Sequence, residues 1–273
     1  MIGHTKNIKY FQNVIKTGRL VHAYLFSGPE MIGKKMFAVN LAQNILSTSH
    51  VESNPDLKII SPKIDEGDTK IYIEDIRDLK SFLSVKPFYG PYKIAVIDDA
   101  DRLTPEASNS LLKILEEPSA SSILILITSK PRYLLQTIYS RCQEVRFNAL
   151  KPEELDELIP TKLKSDDKAL LKKLAYNRPG WLVKNLDNLE DIKKSIDEFD
   201  KTLKQGIFER MQYAAKLYAK ENYKELVNNL IYWYYNQGAK PAKLLAGLIG
   251  VSKIISQPQF NHRLALENFL INL

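Results

Sequence analysis

A glycine-rich segment between a short apolar run and a helical stretch has the spacing of a phosphate-binding loop. Gly28 and Gly33 enclose four residues and Lys34 follows directly, which gives the pattern Gly-x₄-Gly-Lys. Glycines allow consecutive backbone N–H groups to turn toward a phosphate, and the lysine ammonium then meets its charge. A glycine-bounded turn before an ordinary helix has the same pattern, and the motif alone does not separate the two interpretations.

The residue after this lysine departs from the phosphate-loop pattern. The motif requires a Ser or Thr hydroxyl there as a ligand for Mg²⁺, and this chain has Lys35. An ammonium group has no lone pair to donate to a metal ion. The sequence therefore predicts a degenerate loop that tolerates ATP or ADP without hydrolysing it efficiently.

Two acids follow the apolar run Ile94–Ile97. Ligands bind at the carboxyl edge of the strands in open α/β sheets, so Asp98 and Asp99 are candidates for the same site as the loop. Asp98 has the position of a Walker B aspartate, which holds the metal through water. Asp99 stands where an active ATPase usually carries a longer glutamate. Acids after a strand are also ordinary loop residues, but their place downstream of a phosphate loop favours a nucleotide fold.

Two more positions could act on a phosphate. Thr128 ends the apolar run Ile123–Ile127, where it would face the same site and sense a γ-phosphate, although a strand-end threonine is also commonplace. Arg141 follows the predicted helix Pro131–Tyr139, which places its guanidinium on the domain surface. A surface arginine is either solvated or presented to the γ-phosphate of a neighbouring molecule, as arginine fingers are.

The elements that position these residues alternate along the first half of the chain. Short apolar runs predict strands, and stretches with helical periodicity separate them, which is typical of a parallel sheet covered on both faces. The predicted strands are Ala23–Phe26, Leu57–Ile60, Ile94–Ile97, Ile123–Ile127 and Val145–Phe147. The predicted helices are Lys34–Leu46, Ile73–Val85, Pro105–Glu117 and Pro131–Tyr139.

The strand pattern stops after Phe147, and the rest of the chain has helical spacing. A small three-helix unit comes first, and a longer helical region begins near Leu189. The sequence predicts three domains: residues 1–148 as an α/β nucleotide fold, 149–188 as a small helical unit and 189–273 as a separate helical domain.

The composition excludes several classes of protein. Of 273 residues, 44% are hydrophobic and 26% are charged, as in folded globular proteins. The single cysteine, Cys142, excludes an internal disulfide and a four-cysteine zinc site. No apolar run is long enough to span a bilayer and the N-terminus has no signal-peptide pattern, so we expect a cytoplasmic protein with no membrane partner. The formal charge of +7 favours mild attraction to polyanions such as DNA.

Taken together, these motifs resemble the delta-prime subunits of bacterial DNA polymerase III clamp loaders, which are members of the AAA+ family. The match extends over nearly the whole chain, and the combination of Leu-Leu-Lys-Ile-Leu-Glu-Glu-Pro with Ser-Arg-Cys is its most specific part. The segments that carry it are Leu20–Gly28, Ile73–Leu79, Asp98–Leu103, Ala107–Pro118, Ser140–Cys142 and Asn261–Glu267.

The resemblance implies a RecA-like AAA+ domain, a helical lid and a C-terminal collar that joins five related subunits in a ring. Such a ring loads a sliding clamp onto primed DNA. The implied partners are gamma/tau and delta subunits, with the clamp and primer–template DNA reached through the complex. Arg141 becomes an arginine finger that acts in trans. The residues implied to form a degenerate nucleotide site are Gly28, Gly33, Lys34, Lys35, Asp98, Asp99 and Thr128.

The chain departs from the family in three places. The segment Leu46–Pro55 is short and has no cysteine where many relatives carry a zinc module, so we expect no zinc. Gly180 stands where a motor subunit has a sensor-2 arginine, which agrees with lost ATPase activity unless Arg178 substitutes for it. The collar, about Leu189 to Leu273, is shorter than is usual in the family.

We therefore predict an interaction protein, a clamp-loader subunit without ATPase activity of its own. The alternative is an ATP-hydrolysing AAA+ motor, either a gamma-like subunit or a helicase-like relative, which the retained Gly28, Gly33, Lys34 and Asp98 support. A third hypothesis, a free DNA-binding protein, draws only on the net charge. Turnover of ATP by the isolated chain separates the first two, and salt-dependent DNA affinity tests the third.

Overall fold

The computed structural model describes residues 3–48, 53–65, 68–238, 241–257 and 259–273. The chain divides into two compact units, Met1–Glu154 and Leu155–Leu273. The predicted further division of the helical half at residue 188 stays a prediction.

A five-stranded parallel sheet is the centre of the first unit. The strands of this unit are β1 (Ala23–Ser27), β2 (Leu57–Ile60), β3 (Lys63–Asp65), β4 (Asp68–Lys70), β5 (Lys93–Ile97), β6 (Ser122–Thr128) and β7 (Gln143–Arg146). The sheet has the spatial order β2-β5-β6-β1-β7, and its strands pair only in parallel. The short antiparallel hairpin β3–β4, which the sequence did not predict, accompanies the sheet.

Helices cover both faces of this sheet, because alternate strand residues point to opposite sides. Tyr24 and Phe26 of β1 belong to one core cluster with Phe37, whereas Leu25 belongs to the other with Leu111. The helices of this half of the chain are α1 (Thr5–Lys16), α2 (Lys34–Leu46), α3 (Ile73–Ser84), α4 (Pro105–Glu116), α5 (Gln136–Tyr139) and α6 (Pro152–Asp156). The predicted α/β fold with a RecA-like parallel sheet is confirmed.

The predicted helix Pro131–Tyr139 is wrong as a single element. The segment forms a 3₁₀ turn over Pro131–Tyr133 and then the short helix α5. Leu134 and Leu135 between them have extended backbone, with ψ of 147° and 134°, so the helical hydrogen-bond ladder cannot continue. Leu134 and Ile138 are nevertheless both buried, which explains why the apolar spacing looked helical.

Helices make up the second unit. They are α7 (Ser165–Ala175), α8 (Pro179–Asn185), α9 (Leu189–Leu203), α10 (Ile207–Tyr218), α11 (Tyr223–Tyr235), α12 (Ala242–Ile255) and α13 (His262–Ile271). Among them α10 packs on α13, and α11 packs on α7, α9 and α12. Along the described ranges, no helix has the length and apolar character needed to cross a bilayer.

Candidate functional site

The predicted phosphate loop connects β1 to α2, as the motif requires. Gly28 has φ of +149°, and a Cβ on it would lie 2.2 Å from the carbonyl oxygen of Phe147. Gly33 has φ of +93° and is the N-cap residue of α2, with open space around it. The first glycine therefore lets the loop pack closely against the chain that follows β7, and the second allows the left-handed turn into the helix.

Lys34 directs its ammonium group at the loop itself. Its Nζ donates hydrogen bonds to the carbonyl oxygens of Gly28 at 2.7 Å and Pro29 at 2.5 Å. The residue is 7% exposed. Burial lowers the pKa of Lys34, and the charges of Asp99 and Glu30 oppose that shift. The cation expected to meet a phosphate is thus bound to backbone carbonyls.

Lys35 and Asp98 form an ion pair at the carboxyl edge of the sheet. The Lys35 Nζ lies 3.0 Å from Asp98 Oδ2 and 3.0 Å from Ser61 Oγ. The candidate metal-binding carboxylate of Asp98 therefore has an ammonium group beside it. That group belongs to Lys35, which stands where the motif requires a hydroxyl residue. These residues do not fit a magnesium ion, which needs oxygen ligands where the chain has the Lys35 ammonium.

Two further acids, Asp99 and Asp101, lie at this edge. Asp99 has left-handed backbone with φ of +47°. Burial, followed by the charges of Asp98 and Asp101, raises the pKa of Asp99. Thr128 is fully buried; its hydroxyl donates to Asp101 Oδ1 at 2.5 Å and accepts from the Lys130 N–H at 2.9 Å. The sequence did not single out Asp101, although its spacing after Asp98 and Asp99 is visible there.

Arg141 lies elsewhere on the unit, in the tight turn after α5. Its side chain is 36% exposed. The guanidinium donates from Nη2 to Glu116 Oε1 at 2.9 Å and from Nη1 to the Thr137 carbonyl at 3.0 Å. The Arg141 N–H itself closes the turn by donating to the Ile138 carbonyl at 3.1 Å. The structure thus places this guanidinium at the surface and outside the sheet, as the sequence predicts.

Cys142 follows in the same turn but faces the interior. It is partly buried and packs against the core cluster beneath α3 and α4. Burial raises the pKa of the Cys142 thiol to about 12. The thiol therefore behaves as an apolar side chain that anchors the arginine turn, and not as a nucleophile.

Glu144 of β7 is a residue that sequence reasoning missed. Its carboxylate accepts hydrogen bonds from Ser27 Oγ at 2.7 Å, Tyr139 OH at 2.7 Å and Arg146 Nε at 2.9 Å. Burial alone would raise the pKa of Glu144, but these three hydrogen bonds outweigh it and lower the pKa. Ser27 precedes the loop and Tyr139 precedes the arginine turn, so Glu144 connects the two.

A cavity of about 600 Å³ lies beside this carboxylate. The loop lines it through Ser27, Gly28 and Pro29, and α5 lines it through Gln136 and Tyr139. The loop and the helix that precedes Arg141 therefore border the same space.

The guanidinium of Arg178 is bound within its own unit, and its substitution for a sensor-2 arginine stays a prediction. It donates to the carbonyls of Ala175 at 2.9 Å and Leu174 at 3.0 Å, and it stacks on the Tyr232 ring at 3.9 Å. Gly180 lies in the first turn of α8. Arg178 thus caps the end of α7 and fixes it against α11.

Zinc binding was predicted to be absent, on the basis of the segment Leu46–Pro55. Residues 49–52 of that segment lie outside the described residues. Elsewhere in the described chain, no three His, Cys, Asp or Glu side chains cluster in a way that would hold a metal ion. The zinc prediction stays a prediction.

Comparison with known proteins adds the family. The family model described as DNA polymerase III, delta subunit, matches residues 3–151. The delta′ subunit of DNA polymerase III from Bacillus subtilis is 34% identical over 165 residues, which are 55% of this chain and 49% of that protein. The tau/gamma subunit from Haemophilus influenzae is 30% identical over 188 residues, 63% of this chain and 27% of that protein. The matches thus span about half or less of these relatives' length.

A solved structure supports the fold along the whole chain. A DNA polymerase III gamma-subunit-related protein from Thermotoga maritima superposes with a TM-score of 0.62 at 20% identity, over 95% of this chain and 97% of that one. The family match covers more than half of the residues and includes the loop, the acidic strand end and the Ser-Arg-Cys turn. The chain therefore belongs to the DNA polymerase III delta-subunit family, and its resemblance to the delta-prime subunits of clamp loaders is confirmed.

Proposed function

We propose that the chain is a non-motor, delta-prime-like subunit of the DNA polymerase III clamp loader. It joins gamma/tau-type and delta-type subunits in the loader ring and supplies Arg141 in trans to the ATPase site of a neighbouring subunit. The assembled loader then places the sliding clamp on primer–template DNA. ATP or ADP bound to its own loop would be structural, without efficient hydrolysis.

The observation that carries this proposal is the contrast between the two candidate sites. The loop has no hydroxyl for a metal, and its two lysines bind the loop carbonyls and Asp98. Arg141 lies on the surface in a turn away from the loop, with its side chain 36% exposed, whereas Lys34 is only 7% exposed. A guanidinium keeps its charge at every physiological pH and matches phosphate oxygens with its planar N–H fork, which suits it to act on another molecule's phosphate.

Assembly is supported by apolar side chains on the second unit. Ile207 and Phe208, in the first turn of α10, are 58% and 68% exposed, and Met211 one turn later is 42% exposed. Exposed apolar residues grouped on one helix are typical of a protein–protein interface. We assign this surface to contact with other subunits of the ring. Phe208→Asp should weaken co-assembly measured by size-exclusion chromatography, whereas assembly at the wild-type affinity would contradict the assignment.

The trans role is tested in the loader reconstituted from this chain and the other clamp-loader subunits of its source cell, with every ATPase site other than that of the neighbouring subunit inactivated. We expect Arg141→Ala to lower ATP turnover by about 10³-fold, the usual effect of losing an arginine finger. Arg132→Ala, which removes an exposed arginine of the same unit that follows β6 at the other edge of the sheet, is the control and should leave turnover unchanged. Wild-type turnover by an Arg141→Ala loader that assembles normally would refute the role.

The second candidate function is an ATP-hydrolysing motor. The match to a tau/gamma subunit, at 30% identity, favours it, as do the retained loop glycines and Lys34. The isolated chain decides between the two functions. Under the leading proposal it shows no Mg²⁺-dependent ATP turnover above a protein-free control, whereas turnover at motor-like rates of about 1 s⁻¹ or more would establish the alternative.

A further inference from the structure

Glu116 makes a direct ion pair with the proposed arginine finger. Its Oε1 lies 2.9 Å from Arg141 Nη2, while Nη1 of the same guanidinium donates to the Thr137 carbonyl at 3.0 Å. Both terminal nitrogens of the guanidinium are therefore bound to acceptors in the chain. Because each terminal nitrogen has its own acceptor, the guanidinium plane is held in one orientation as well as in one position.

The groups that hold the guanidinium come from well-packed elements. Glu116 is the last residue of α4, directly after Leu115, which is buried in the core. Thr137 lies in α5 next to the buried Ile138. The Thr137 carbonyl is a backbone group of α5, and the half-exposed Glu116 carboxylate extends from the end of α4, so both acceptors are attached to helices that pack on the core.

The guanidinium still has hydrogen-bond donors to offer. Arginine has five N–H donors, and the two contacts described here use one on each terminal nitrogen. The side chain is 36% exposed, so donors can reach a group on another molecule. Glu116 thus orients the guanidinium without consuming its capacity to bind a phosphate.

We propose that Glu116 is a positioning residue that holds Arg141 in the orientation in which a neighbouring subunit's phosphate meets it. This inference rests on the proposed trans role of Arg141. Arginine loses much side-chain freedom when it is fixed in one geometry, and a preformed orientation removes part of that loss from the reaction. Exposed ion pairs are weak, which limits the effect on rate to about two- to fivefold.

The test uses the reconstituted loader. Glu116→Ala should lower kcat for ATP by about two- to fivefold with KM unchanged, because nucleotide binding by the neighbour is not affected. Glu116→Gln keeps a side-chain oxygen for Arg141 Nη2 and should recover part of the loss. Glu117→Ala removes the adjacent exposed carboxylate, for which the described residues show no ion pair, and should match wild type.

A second measurement needs no ATPase activity. The ¹⁵N relaxation of the Arg141 Nε–H in the isolated chain should show an ordered side chain, and Glu116→Ala should lower its order parameter toward that of the exposed Arg132. Unchanged or increased kcat in the Glu116→Ala loader, or an Arg141 already as mobile as Arg132 in the wild-type chain, would overturn the inference. Failure of the trans role itself would instead appear as wild-type turnover in the Arg141→Ala loader.

Discussion

The phosphate loop and the arginine turn use cationic side chains in opposite ways. In the loop, Lys34 is 7% exposed and donates to two carbonyls, and Lys35 is paired with Asp98. In the turn, Arg141 is 36% exposed and keeps free donors, although two of its nitrogens are held. The loop thus buries Lys34 and pairs the half-exposed Lys35 with an acid of its own site, whereas Arg141 lies on the surface away from that site. This difference is what the proposal requires, a loop without ATPase activity of its own beside an arginine that acts on another subunit.

The largest expected effect concerns the rigidity of the arginine turn. Because burial raises the pKa of Cys142 from 9.0 to about 12, its thiolate population near pH 8 falls by about a thousandfold. The chain has one cysteine, so its reaction with an aromatic disulfide reagent reports this site alone. We expect the native protein to react about a thousandfold more slowly than the urea-unfolded chain. Equal rates for the native and the unfolded chain would show that the turn around Cys142 is open to the reagent, and would contradict a rigid arginine turn.

The second effect concerns what the loop glycines do. In Gly28→Ala the new Cβ would lie 2.2 Å from the Phe147 carbonyl oxygen, and the free energy of unfolding should fall by about 2–4 kcal/mol. Gly33→Ala is the control. Its new Cβ would enter open space, so the free energy of unfolding should fall by only the cost of a positive φ in alanine, about 1–2 kcal/mol. Urea unfolding measures both. Equal losses would show that close packing is not what retains the first glycine.

The third effect concerns the connection between the two regions. Glu144 is hydrogen-bonded to Ser27 and Tyr139, so Glu144→Gln should lower the unfolding free energy at pH 7 by about 1–2 kcal/mol. Folding lowers the pKa of this carboxyl below its ordinary value of 4.5. Its contribution is therefore complete above 4.5 and is lost as pH falls through the folded-state pKa.

The pH dependence gives this prediction its control. Urea unfolding of wild type and Glu144→Gln should differ most at pH 7 and should converge under acidic conditions, as Glu144 takes up its proton. A difference that stays constant with pH would contradict a charged carboxylate at the junction.

The smallest effect concerns the ion pair of the loop. Lys35 is half-exposed, so its pair with Asp98 should stabilise the fold by less than about 1 kcal/mol. A double-mutant cycle of Lys35→Met and Asp98→Asn, read by urea unfolding, measures the coupling. A value near zero would mean that the ammonium does not stay at the acid, and the loop would then be open to a metal.

The alternation of strands and helices could be predicted from the sequence because it depends on the local spacing of apolar residues. α4 shows this: Thr104 caps it by accepting from the Ala107 N–H at 3.2 Å, and Pro105 occupies its first position. The β3–β4 hairpin was missed because its strands are three residues long. The broken segment at Leu134–Leu135 was missed because buried residues at helical spacing do not report backbone dihedral angles.

For the phosphate loop and the arginine turn, the sequence predicted the residues but not their contacts. Residue types identified the loop, the acids and Arg141, and the absence of a hydroxyl at Lys35 follows from the motif alone. Residue types did not identify the partners of these side chains. Lys35 and Asp98 are 63 positions apart in the chain and meet only because α2 begins and β5 ends at one edge of the sheet. The Glu116–Arg141 pair and the contacts of Glu144 likewise join separate elements, so no local pattern could show them.

The central claim is that this chain's own loop is dispensable for ATP turnover and its arginine is not. The most direct test compares Lys34→Met and Arg141→Ala in the same reconstituted loader, with assembly checked for each. We expect turnover within about twofold of wild type for Lys34→Met and about 10³-fold lower for Arg141→Ala. Loss of turnover with Lys34→Met and wild-type turnover with Arg141→Ala would contradict the account.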